Sequence, residues 1–160
     1  MILPCISQLV LTAVISTVAS FGVLTPNELL SIENERVAEI NSGGTPPELR
    51  GTSWRWLGFT SSAESLTVPE PERYTLTFSE DRAIVRADCN RGTAPVASRS
   101  LNALEIGPTA LTRRRCPQGS LSNRFAGDLS NTVRYSIRGG ELYLELSNDS
   151  GFLRFAKESG

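Results

Sequence analysis

Two short segments hold the residues with the most chemical potential. "RADCNRG", Arg86 to Gly92, sets a cysteine beside an asparagine between two arginines, and "TRRRCP", Thr112 to Pro117, sets a second cysteine behind three more. Four kinds of chemistry suit such residues: a metal centre, a redox pair, an anion-binding site and a covalent staple. Two thiolates without histidine are too few soft ligands for a closed zinc site, and Asp88 as a further ligand matches no recognised spacing. Redox cysteines ordinarily lie two residues apart, and these stand far apart in the chain. A disulfide between Cys89 and Cys116 is the plain reading in an exported chain. Closing a loop of about 28 residues would stabilise by roughly 3–4 kcal/mol through chain entropy. Two reduced, buried thiols are the alternative.

The arginines frame a second question. Arg113, Arg114 and Arg115 form the densest charge cluster, and a Cys89–Cys116 bond would bring Arg91 near them. Guanidinium forks suit a carboxylate or a phosphate. The competing reading is a solvated rim at a strand end. On a strand Arg113 and Arg115 share one face and Arg114 takes the other. Glu64, Glu70 or Glu72 is expected to neutralise part of the cluster. Trp54 and Trp56 also share a face. They could line a ligand cavity, but the expectation is that they fill the core with Phe78, Phe125 and Phe155.

Composition excludes several function classes. The 160 residues include 15 arginines, one lysine and no histidine, and the net charge is -1. Without histidine there is no Ser-His-Asp or Cys-His arrangement, and the commonest zinc ligand is missing. No Gly-x-Ser-x-Gly elbow occurs, and Glu141 and Glu145 read as solubility charges on a hairpin. The expectation is a non-enzyme with no catalytic residue, no metal and no cofactor. Near-neutrality gives no global field for nucleic acid.

The elements that must position these residues are set by periodicity. Met1 to Leu24 carries no charged side chain. It reads as a signal peptide or, alternatively, as a retained inner-membrane anchor, the only part expected to meet a membrane. Residues 25–47 read as a short helix and linker. Thr25-Pro26-Asn27-Glu28 makes a helix start, Leu29, Ile32, Val37 and Ile40 come next at helical spacing, and Gly and Pro stop it. Residues 48–158 read as one domain of period-two strands. These are Gly51–Phe59, Tyr74–Phe78, Ala83–Asp88, weaker runs at "APVAS", "ALEIG" and "TALT", a hairpin turning at Gly139-Gly140, and Phe152–Ala156. In that hairpin Val133, Tyr135 and Ile137 should share a face, as should Leu142, Leu144 and Leu146. Leu121, Phe125 and Leu129 mark the one helical stripe. Asn90 and Gly92 fit a turn. The fold class is α+β, mainly antiparallel β: a curled sheet or partial barrel of about eight strands, with one helix covering an opening.

In order and spacing these motifs resemble the META domain, also called HslJ-like. The resemblance runs from about Leu49 to Lys157. It rests on Gly51-Thr52-Ser53-Trp54, on Thr75 to Phe78, on Cys89-Asn90 with Gly92, on Thr112 with Cys116, and on Leu142, Leu144 and Phe155 in the closing strands. Family members usually carry a small residue, often glycine, before the cysteine, where this chain has Asp88. The resemblance implies a small exported or lipid-anchored domain of the bacterial envelope or periplasm. The family has no established catalytic residues, and some members are linked to heat shock or antibiotic resistance. The expected role is therefore a stress-related or envelope role, with an envelope protein or small ligand as partner. The alternative is a binding module like periplasmic lysozyme inhibitors or secretion pilotins. For an inhibitor, the loop "SNDSG", Ser147 to Gly151, is the nearest candidate to enter an enzyme cleft.

Overall fold

Period-two alternation turns directly into buried and exposed faces. In Tyr74–Phe78 the residues Tyr74, Leu76 and Phe78 are buried, and in Glu141–Leu146 the three leucines are. The computed structural model describes residues 43–158, so the Met1–Leu24 segment and the helix expected before residue 41 lie outside them. Among the described residues, ten strands and one α-helix occur in chain order: β1 (Ser53–Thr60), β2 (Ser65–Thr67), β3 (Tyr74–Phe78), β4 (Arg82–Ala87), β5 (Asn90–Ala97), β6 (Glu105–Ile106), β7 (Ala110–Leu111), α1 (Ser122–Leu129), β8 (Thr132–Arg138), β9 (Glu141–Leu146) and β10 (Phe152–Lys157). The surplus over about eight strands comes from β2, β6 and β7, each only two or three residues long.

The strand order is β6-β5-β4-β3-β1-β10-β9-β8, with β2 on β1 and β7 on β5. Every strand pair is antiparallel. The segment just before β6 reaches the far edge: the Leu104 amide donates to the Val133 carbonyl, and the Tyr135 amide to the Asn102 carbonyl. The sheet is therefore a nearly closed barrel, which leaves few unpaired edges. Beyond that short closure the outer edge of β8 has no strand partner among the described residues. Tyr135 is buried, but Val133 and Ile137 are exposed, so the expected shared face of β8 is sealed only at Tyr135. The register shift between Thr132 and Arg134 adds to this.

The two ends of the barrel are closed differently. At one, the strap through Thr45 and the 3-10 turn Pro47–Leu49 inserts Leu49, fully buried, and the Tyr135 hydroxyl donates to Glu48. At the other, α1 lays Phe125 on Trp56, stacked at 4.8 Å between centroids, with Tyr74 edge-on at 5.8 Å and Phe155 at 6.2 Å. Trp54, Trp56, Phe78, Phe125 and Phe155 are all buried, and Leu129 beside Phe125 is fully enclosed. Arg124 fastens the exposed side of α1. Its guanidinium grips Glu64 through two hydrogen bonds of 2.7 and 2.9 Å and lies over the Phe59 ring. That contact holds the Glu64 carboxyl below its ordinary range.

Candidate functional site

The site begins with a tight hairpin. Strands β4 and β5 are joined by two residues, Asp88 and Cys89, with Ala87 opposite Asn90. Asp88 adopts φ 60°. That left-handed conformation suits glycine, and aspartate tolerates it better than most residues. The turn therefore lies at Asp88-Cys89, and Asn90 and Gly92 belong to β5 rather than to the turn expected of them. Gly92 is needed for another reason: a Cβ there would lie 1.8 Å from the Ala110 carbonyl oxygen. Only glycine lets β7 approach β5 this closely.

Asn90 organises the segment around Arg114. Its side chain is buried, and its amide bonds both backbone groups of that arginine. The Arg114 N–H donates to Oδ1 at 2.8 Å, and Nδ2 donates to the Arg114 carbonyl at 3.2 Å. The side chain thus stands where a neighbouring strand's backbone would. Oδ1 also accepts from the Thr112 hydroxyl at 3.0 Å, and Nδ2 reaches Cys116 Sγ at 3.2 Å. Thr112 is held from both sides, since the Arg91 amide donates to its hydroxyl and its own amide donates to the Arg91 carbonyl. The disulfide Cys89–Cys116, with Cα atoms 5.4 Å apart, locks the far end. Both thiols are committed to it.

This polar clamp gathers five arginines. Arg86 on β4 and Arg91 on β5 are direct cross-strand partners, and Arg113, Arg114 and Arg115 project from the clamped segment. All five are exposed, and among the described residues none has an ion-pair partner. The three carboxylates expected to neutralise them are not at the cluster. Glu64 is bound by Arg124, Glu70 by Arg73 at 2.5 Å, and Glu72 forms no ion pair among the described residues. Asp88, nearest in sequence, turns its enclosed carboxylate to Arg73 on the other side of the hairpin. The Glu70 hydrogen bond, aided by Asp88, raises the Arg73 pKa further. Two open grooves flank the clamped segment. One, of about 670 Å³, is lined by Asn90, residues 109–115, Asn123 and Ala126. The other, of about 340 Å³, is lined by Arg86, Asp88, Cys89, Arg91, Thr112 and Arg114. Arg114 is the one arginine that borders both.

The META domain profile matches residues 47–159, which span the whole barrel and the clamp. The chain belongs to the META domain family. Within this META domain the Cys-Asn pair and the Thr-x-x-x-Cys segment are two halves of one device, joined by Asn90 and the disulfide. Asp88 adopts the left-handed turn conformation with its carboxylate paired to Arg73. The fold also resembles the crystal structure of a DUF4847 family protein from Bacteroides vulgatus ATCC 8482, at 15% identity and a TM-score of 0.48, over 75% of this chain and 96% of that one. No curated protein matches the chain.

The sequence alone groups Arg91, Arg113, Arg114 and Arg115; Arg86 and Asn90 join the cluster only in the fold. Arg86 had a readable signal in its symmetric spacing from Arg91 about the Asp88-Cys89 turn. The isolated Gly92 inside a strand pattern was the signal for close backbone approach. The "SNDSG" loop is apart from this cluster in the fold, forming the β9–β10 connection with Asn148 at φ 57° and Asp149 at φ 50°.

Proposed function

We propose that this META domain is a non-catalytic binding module of the bacterial cell envelope, exported through its uncharged N-terminal segment, whose contact surface is the arginine face around Cys89–Cys116. The observation that carries the reading is five exposed arginines without ion-pair partners among the described residues, three of them on a segment whose backbone a buried asparagine and a disulfide hold in place. Arginines left only to solvent need no such framework. Arg86 and Arg91 face each other across a strand pair, an arrangement that costs stability in isolation and is relieved by an anion between them. A disulfide suits an oxidising compartment, and the absence of histidine anywhere in the chain is in keeping with binding rather than acid–base catalysis.

The test is capture from envelope extract with the full-length chain carrying a C-terminal affinity tag, alongside the Arg113→Glu/Arg115→Glu variant. Both side chains are exposed, so the fold is expected to survive. The reading predicts a partner that the wild type retains and the variant loses by about tenfold or more. A partner retained equally by both proteins would show that binding lies elsewhere. Fractionation of the same cells reads the export step directly.

A further inference from the structure

We infer that the arginine face takes a ligand carrying two or more linked phosphate groups, laid across Arg114 with one anionic group in each flanking groove. The inference deepens the binding reading above and rests on it. Three observations lead to it. The cationic groups are divided between two grooves, Arg86 and Arg91 in the smaller, Arg113 and Arg115 in the larger. Arg114 and Thr112 form their common wall, Arg114 is the one cation in it, and the Arg114 backbone is bonded by Asn90 at both its N–H and its carbonyl. Neither groove contains a carboxylate free to compete: Asp88 is the sole acidic residue lining either one, and it is bound by Arg73.

The division selects for charge number and spacing. A lone orthophosphate can use one groove and at most its two or three guanidinium groups. An oligoanion reaches both and uses all five, and tethering its second group makes that contact intramolecular. Arginine forks favour the multiple oxygens of a phosphate through paired N–H donors. The clamped segment itself supplies no apolar side chain for an interfacial membrane contact, because its exposed residues are Thr112, Arg113, Arg114 and Arg115.

Titration calorimetry on the full-length protein with inorganic tripolyphosphate and with orthophosphate tests the idea. Tripolyphosphate should bind at least about tenfold more tightly, with affinity falling steeply as salt rises. Arg114→Gln should bring tripolyphosphate down to the orthophosphate level. Arg86→Gln and Arg113→Gln, one per groove, should each weaken it by about threefold. Arg134→Gln, an exposed arginine on β8, should leave it unchanged. Equal affinity for the two anions, or an equal loss with Arg134→Gln, overturns the inference. So does binding to phosphatidylglycerol-containing vesicles with no affinity for tripolyphosphate, which would assign the face to a lipid surface. If tripolyphosphate fails while partner capture still depends on Arg113 and Arg115, this inference falls and the binding reading stands. If capture is indifferent to those arginines while tripolyphosphate binds as described, the partner reading falls instead.

Discussion

The helix-capped end of the barrel and the disulfide-bearing edge solve the same problem with opposite materials. Each must hold a segment that lies outside the main strand ladder. Helix α1 is held by shape: Phe125 fills the space between Trp56, Tyr74 and Phe155, and burial of that ring supplies most of the attachment. The arginine segment has no apolar side chain to bury between Thr112 and Arg115 and is held by hydrogen bonds to Asn90 and to the Arg91 backbone and by one covalent bond. Apolar packing is worth much free energy but hides what it fixes. A polar clamp fixes a backbone while leaving the guanidinium groups beside it in water. The first arrangement builds the fold and the second presents a surface.

The comparison can be broken most forcefully at the aromatic end. Phe125→Ala should cost about 3–5 kcal/mol, since the ring is fully enclosed and the cavity it leaves cannot collapse against a sheet. Denaturant melts should move as one transition, with the whole barrel loosened. Next comes the disulfide. Replacing Cys89 and Cys116 together by serine should lower stability by roughly 3–4 kcal/mol on the chain-entropy argument. The folded barrel should keep its near-ultraviolet aromatic signal, because Phe125 is held by Trp56, Tyr74 and Phe155 and not by either cysteine. Loss of that signal under native conditions would mean that the staple, not the aromatic cluster, organises the fold.

Asn90→Ala should be milder, about 1–3 kcal/mol, the range for leaving buried polar partners unmatched. The smallest effect concerns the opposite strap. Burial, reinforced by the hydrogen bond to Glu48, pushes the Tyr135 hydroxyl above its ordinary range. A group raised in the folded state stabilises fully below its unfolded pKa, near 10, and that contribution is lost as pH rises above it. Wild-type melting temperature should therefore fall more steeply above about pH 10 than that of Tyr135→Phe. The variant should give up only about 1 kcal/mol near neutrality. Parallel curves would remove Tyr135 from the account.

The strands most legible in the sequence are those with one face against the core. Tyr74-Leu76-Phe78 and Leu142-Leu144-Leu146 alternate because the barrel interior demands it, and Gly139-Gly140 takes positive φ at both positions, as a two-residue hairpin requires. Strands β2, β6 and β7 are too short to carry a period, and their pairing is set by what they are brought against. The clamp was legible in its residues but not in its geometry. Asn90 beside a cysteine suggests a turn on local grounds, because asparagine bonds its own backbone readily. Here a partner 24 residues away, Arg114, takes that capacity instead. The carboxylates Glu64 and Glu70 were misplaced for the same reason. Their choice of Arg124 and Arg73 comes from the docking of α1 and of the 3-10 turn Pro71–Arg73, which no charge count reveals.

Amide hydrogen exchange at Arg114, in the wild type and in Asn90→Ala, tests the division of labour most directly, because the Arg114 N–H donates to the side chain that the variant removes. The account predicts that exchange at Thr112 and Arg114 accelerates sharply in Asn90→Ala while amides of β1, β3 and β10 keep their relative protection. Unchanged protection at Arg114, or a uniform rise across the barrel, would contradict it.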